Sequence, residues 1–163
     1  MGLLQSIRRL GLKSILSSAL ALEDEIYGLY SSLKAELAGS QVPHSLAQIL
    51  DEELGHQRLI RDMIDDRISD QELKQIIGGR DLHIHDLRRI KELPADRYGS
   101  IRSRLETILA KERKIYNLFA GLHRKSKIPF AHRAFGFLEE QEHTHLEVLE
   151  RLMGRSGSGD RQS

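Results

Sequence analysis

The chain contains no cysteine and no tryptophan, and only three prolines in 163 residues. Without cysteine there is no disulfide scaffold, no zinc ribbon, no thiolate-bound iron and no thiol nucleophile. An excess of charge is also missing: 25 Lys and Arg stand against 24 Asp and Glu, a net charge of +1. That balance supplies no long-range field to draw in nucleic acid, and no block of like charge forms a tail. No apolar run reaches the roughly 18 residues of a membrane span. Abundant Leu, Glu, Arg and Lys with few β-branched residues point instead to an all-α fold. The length suits one domain.

Residues 1–22 carry Arg8, Arg9 and Lys13, no acid, and end in Ala19-Leu20-Ala21. Leader peptides share this composition. Here Ser14, Ser17 and Ser18 interrupt the apolar stretch, and it runs into Glu23 without a breaker. The segment therefore reads as part of a helix in the mature chain, and the expected location is cytoplasmic.

Four segments show helical periodicity. The first runs from about Leu3 to Leu37, with the inner stripe Leu16, Leu20, Glu23, Ile26/Tyr27, Tyr30, Leu33. The second follows Pro43, with Ser45 as its expected N-cap, and carries Leu46, Ile49/Leu50, Glu53, His56, Leu59/Ile60, Met63. It is expected to continue through Gln71–Ile77 until Gly78-Gly79 ends it. The third opens near Pro94-Ala95 and carries Ile101, Leu105, Ile108/Leu109, Glu112, Ile115/Tyr116, Phe119, Leu122. The fourth follows Pro129 and carries Phe135, Leu138, Glu142, His145, Leu149, Leu152/Met153. The connections within each pair are short, so both pairs read as antiparallel hairpins. The stretch between them, about Asp65 to Tyr98, reads as a long crossover with a short helix near Leu82–Leu93. The Gly- and Ser-rich segment 154–163 reads as a disordered tail.

A shift of 89 residues superposes the two hairpins, about 12–64 on 101–153. In residues 12–34 against 101–123, nine of 23 positions are identical, among them Glu23/Glu112, Ile26/Ile115 and Tyr27/Tyr116. Tyr30 meets Phe119. The same shift, without a gap, brings Glu53 to Glu142 and His56 to His145.

These shared polar positions carry the chemistry. Glu23 and Glu112 sit in the middle of apolar stripes, as do Glu53/His56 and Glu142/His145. Residues three apart on a helix point to the same side, so Glu-x-x-His can set a carboxylate and an imidazole on one ion. Four carboxylates in an apolar core are costly without cations, and two divalent ions would balance them. A competing pair, Glu140/His143, fits less well. The apolar residues after His56 (Leu59, Ile60) match those after His145 (Val148, Leu149) better than those after His143. Among neighbouring residues, Tyr27, Tyr30 and Tyr116 are candidates to hydrogen-bond a ligand carboxylate. Glu52 is expected on an exposed face, with orientation of a histidine as the alternative. His83 and His85 read as surface residues; His44, His123 and His132 show no pattern.

The order Glu … Glu-x-x-His … Glu … Glu-x-x-His on two hairpins resembles the ferritin-like, rubrerythrin-related di-iron carboxylate proteins. The resemblance spans about residues 12–153. It implies a ferritin-like four-helix bundle of two antiparallel hairpins joined by a long crossover. It further implies two metal ions, iron or manganese from the oxygen and nitrogen donors, about 3.5–4 Å apart. By the family pattern Glu53 and Glu142 bridge the ions, while Glu23 with His56 and Glu112 with His145 complete them. The sequence leaves open which histidine joins which single glutamate. The chain departs from rubrerythrins in having no cysteine-bearing electron-transfer domain. It also has Ile115 where they carry an additional glutamate.

The expected activity is oxidation of Fe(II) with reduction of O₂ or hydrogen peroxide, re-reduced by an external electron donor. Oxygenation of an organic substrate, iron storage and a metal-free interaction bundle are the alternatives. Leu3, Leu4 and Ile7 suggest a homodimer, with no role for nucleic acid or membrane.

Overall fold

A computed structural model describes residues 3–37, 44–79, 90, 92 and 99–154. The expected helix near Leu82–Leu93, the helix start near Pro94-Ala95, His83 and His85 lie outside the described residues. So do the tail from residue 155 and the side chains of Leu3, Leu4 and Ile7. Five helices are described: α1 (Leu3–Glu36), α2 (His44–Ile64), α3 (Asp70–Gly79), α4 (Gly99–Lys125) and α5 (Pro129–Leu152). No strand occurs among the described residues. None of these helices is long and apolar enough to cross a membrane.

Helix α1 packs on α2 and on α4, α4 packs on α5, and α2 meets α5. Pairs along these contacts run in opposite order on the two partners. Glu25 meets Lys111 and Glu36 meets Arg104 between α1 and α4, at 2.6 and 2.7 Å. Asp24 meets Arg61 on α2 at 3.1 Å, and Lys13 meets Asp66 just beyond α2 at 3.1 Å. Between α4 and α5, Arg113 meets Glu150 and His123 meets Glu139. Adjacent helices are therefore antiparallel. These exposed pairs set register more than stability, since each contributes about 0–1 kcal/mol. The apolar stripes supply the energy. Leu16, Ile26, Leu33, Ile49, Ile60, Ile108, Ile115, Phe119, Phe135 and Leu138 are all buried in one core.

Two boundaries differ from the sequence expectation. Ser45 is not an N-cap; it lies inside the first turn of α2, which begins at His44. Nor does the second helix run on to Gly78-Gly79. It stops at Ile64, Asp66 takes a left-handed φ of 55°, and α3 starts separately at Asp70. The cause is a capping box. Ser69 Oγ accepts from the Glu72 N–H at 3.2 Å, while the Ser69 N–H donates to Glu72 Oε2 at 2.8 Å. An Asp70–Arg133 ion pair then fastens α3 to α5. At the far end of the chain, Pro129 opens α5, where a missing N–H costs nothing. Gly154 closes it with φ +68° and an N–H donated to the Arg151 carbonyl.

Candidate metal centre

The four long helices each bring one stripe to the middle of the bundle, and the six polar stripe residues meet there. Glu23 from α1, Glu53 and His56 from α2, Glu112 from α4, and Glu142 and His145 from α5 all have zero solvent exposure. One donor atom from each of Glu53, His56, Glu142 and His145 falls within 4.8 Å of the others. The i, i+3 spacing accounts for this: on both α2 and α5 it turns the carboxylate and the imidazole to the same side.

Both imidazoles present Nδ1 to the carboxylates. His56 Nδ1 lies 2.8 Å from Glu142 Oε1, 3.8 Å from Glu23 Oε1 and 4.0 Å from Glu53 Oε2. His145 Nδ1 lies 2.9 Å from Glu53 Oε1, 3.5 Å from Glu142 Oε2 and 3.7 Å from Glu112 Oε1. Glu53 and Glu142 therefore each turn one oxygen toward each histidine, the disposition of a bridging carboxylate. Glu23 lies with His56 and Glu112 with His145. The two rings stack with centroids 5.4 Å apart.

The electrostatics are those of charges crowded out of water. Burial, then the charges of Glu53 and Glu142, push the Glu23 carboxyl well above its usual range. The same causes raise Glu112, with His145 pulling the other way. Burial opposes ionisation of Glu142 too, but His56 and His145 outweigh it and hold that carboxyl well below the usual range. Burial disfavours the imidazolium of His145, yet hydrogen bonding to Glu112, Glu142, Glu52 and Glu53 holds its pKa well above 6.5.

Among the described residues, both oxygens of Glu23, Glu53 and Glu142, both ring nitrogens of His56, and Glu112 Oε2 make no hydrogen bond. So many orphaned donors and acceptors in a dry interior are rare in a finished core. They are all of the oxygen and imidazole types that iron and manganese take. A pair of divalent cations fits this donor set and its charge.

Around the six, the structure sorts the remaining candidates. The Tyr30 hydroxyl donates to Glu112 Oε1 at 2.6 Å, wholly buried. Burial and the Glu112 charge push that phenol up, so it stays a donor. Tyr27 and Tyr116 do not share this role. Both are half-buried, and no hydrogen bond joins them to the cluster among the described residues; Tyr116 lies against the ring of His143 instead. Glu140 is exposed, and the His143 side chain is 60% exposed. Glu52 is not on an exposed face: it is 6% exposed, and the His145 Nε2–H donates to its Oε2 at 2.9 Å. The alternative, orientation of a histidine, is therefore the one observed; the partner is on α5, so the α2 pattern alone does not decide between the two. A weak signal was the repeat itself, which pairs Glu52 with Gln141, also buried. His123 and His132, patternless in sequence, form a separate set at one end of the bundle. His123 Nδ1 donates to Glu139 at 2.6 Å, and the two Nε2 atoms lie 3.2 Å apart. Gly136 makes room for that ring, since a Cβ there would come within 3.0 Å of His123 Nε2.

No curated protein and no solved structure matches the chain. One family model does, that of rubrerythrin, and it covers residues 14–153. The match takes in all five described helices except the first turns of α1, and every residue of the buried cluster. The chain belongs to the rubrerythrin family.

Proposed function

We propose that this chain is a di-iron carboxylate protein that oxidises Fe(II) and reduces O₂ or hydrogen peroxide. One observation carries the reading. Six fully buried donors converge at mid-bundle, and Glu53 and Glu142 each turn one oxygen to each of two histidines. In this reading the bundle is the ferritin-like arrangement of two hairpins. Glu23 and His56 would hold one ion, Glu112 and His145 the other, and Glu53 and Glu142 would contact both.

Iron bound by these residues would supply electrons to the oxidant, with carboxylate ligands favouring the ferric state. The chain supplies the rest. The apolar layers around the cluster exclude water. Tyr30 keeps a proton on the Glu112 side, at the phenol oxygen. Glu52 fixes the His145 ring by accepting from Nε2, which turns Nδ1 toward the carboxylates. Ile115, fully buried, stands where an additional glutamate occurs in rubrerythrins. With no cysteine in the chain, reducing equivalents come from an external donor.

Oxygenation of an organic substrate would need a pocket beside the ions. A groove of about 620 Å³ is lined by residues such as Arg58, Asp62, Glu72 and Phe137, and by none of the six. It lends that alternative no support.

The test is metal analysis of protein grown with iron, followed by stopped-flow mixing of the Fe(II) form with each oxidant. Two irons per chain and oxidation within seconds are expected, with Glu53→Ala losing both ions. Fe(II) that persists for minutes with both oxidants would remove the enzyme reading and leave iron binding alone. Sedimentation at micromolar concentration tests the homodimer that completes this proposal.

A further inference from the structure

The two halves of the centre are related by the repeat but are not chemically equal. On one side, Glu112 accepts from the buried Tyr30 hydroxyl at 2.6 Å, and His145 Nε2 donates to buried Glu52 at 2.9 Å. On the other side, the counterpart of Tyr30 is Phe119, which has no hydroxyl to give Glu23. The counterpart of Glu52 is Gln141, buried at 8% exposure and without a carboxylate for His56. The consequence is visible in the partners. Among the described residues, both oxygens of Glu23 and the Nε2 of His56 have no hydrogen bond, although both residues are fully buried.

A ligand whose far side is hydrogen-bonded is held in its rotamer and tautomer before the ion arrives, and an imidazole backed by a carboxylate is a better donor. A ligand without such support must be ordered by the ion itself, which lowers affinity. The same freedom lets it swing aside at little cost.

We infer that the centre fills in a fixed order. The Glu112–His145 half takes its ion first and keeps it. The Glu23–His56 half is where the second ion enters and leaves and where a ligand position opens. Tyr30 and Glu52 act as positioning residues that create this difference. The inference rests on the di-iron reading above.

The experiment is a Mn²⁺ titration of the metal-free full chain, followed by electron paramagnetic resonance. A first ion alone gives an isolated Mn²⁺ spectrum; a second ion beside it couples to the first and changes that spectrum. The wild type should fill in two separated steps. His56→Ala should keep the tight first step and lose the second, whereas His145→Ala should lose the tight step. Glu52→Gln, which copies the opposite half, should weaken the first step by tenfold or more and leave the second within about twofold. Circular dichroism checks that each variant is folded. Two steps of equal affinity in the wild type, or a tight step that survives His145→Ala, overturn the order of filling while the di-iron reading stands. No uptake at all by the wild type overturns both. An unchanged first step in Glu52→Gln removes Glu52 from the account.

Discussion

Two kinds of layer alternate along the same helices. Above and below the centre, Leu16, Leu33, Ile60, Ile108, Phe135 and Leu149 pack with essentially no exposure. Between them, four carboxylates and two imidazoles are just as dry. The apolar layers stabilise the fold whatever else is present, because burial itself is the driving force. The polar layer does the opposite in the metal-free chain. Most of its oxygen and nitrogen atoms lose hydration without gaining a hydrogen bond among the described residues, and carboxylates repel one another. Bound cations would reverse the sign, so that binding free energy would become folding free energy. The bundle is thus a stable frame around a layer that bound cations would stabilise.

The largest test of this division is to damage the frame. Phe135 is 1% exposed and stacks near Phe119, with ring centroids 6.4 Å apart. Phe135→Ala should cost about 3–5 kcal/mol, by denaturant unfolding, and equally in the metal-free and metal-loaded protein. A cost confined to the loaded form would mean that the frame depends on the centre.

Damage to the polar layer should have the opposite sign. Glu53→Gln removes one of the buried negative charges without changing its shape. The metal-free variant should be more stable than metal-free wild type at neutral pH by about 1–3 kcal/mol. The same variant should lose both ions, because Glu53 faces both histidines. A metal-free variant less stable than wild type would show that Glu53 is satisfied without metal.

The alternation of layers was legible in the sequence because a helix repeats its face every three or four residues. Glu23, Glu53, Glu112 and Glu142 interrupt runs of Leu and Ile at that spacing, and the 89-residue repeat marks the same four. What the sequence hid depends on relations between helices. Glu52 lies beside the stripe of α2, so its burial required knowing that His145 of α5 packs against it. Tyr27 and Tyr30 lie on the stripe of α1 and Tyr116 on that of α4, yet of the three only Tyr30 is fully buried and bonded to a carboxylate. The break after α2 was local and readable, since Ser69-Asp70-Gln71-Glu72 spells a capping box. The apolar pattern running through Ile68, Leu73 and Ile77 masked it.

Titration sharpens the contrast further. Glu23 and Glu112 have raised pKa values in the folded chain, and so does His145. Each binds its proton more tightly folded than unfolded. Their stabilisation is complete below the unfolded pKa, near 4.5 for the carboxyls and 6.5 for the imidazole, and fades as pH rises through the folded values. Glu142 is lowered, so its contribution is present above about pH 4.5 and is lost only in more acidic solution. From pH 5 to 8 the metal-free protein should therefore lose stability, with a melting temperature that falls by several degrees, on the order of 2–4 °C per kcal/mol. Metal should abolish the slope by taking the place of the protons. A metal-free melting temperature that is flat or rising over this range would show that the layer is hydrated.

The smallest expected effect comes from a single hydroxyl. Tyr30 is 1% exposed and donates to Glu112 Oε1. Phe119, its counterpart in the repeat, is as deeply buried and has no such group. Tyr30→Phe leaves the ring in place, so it opens almost no cavity. It removes the hydrogen bond that Glu112 receives from Tyr30. The metal-free variant should lose about 1 kcal/mol, a modest shift in the denaturation midpoint at constant slope. The loss should persist from pH 6 to 9, because the raised phenol pKa keeps the wild-type donor protonated throughout. If Tyr30→Phe unfolds at the wild-type midpoint, the hydroxyl contributes nothing to the metal-free layer. Tyr30 would then matter only once the ions are bound, when Glu112 carries a full negative charge and the same hydrogen bond becomes a charge-assisted one.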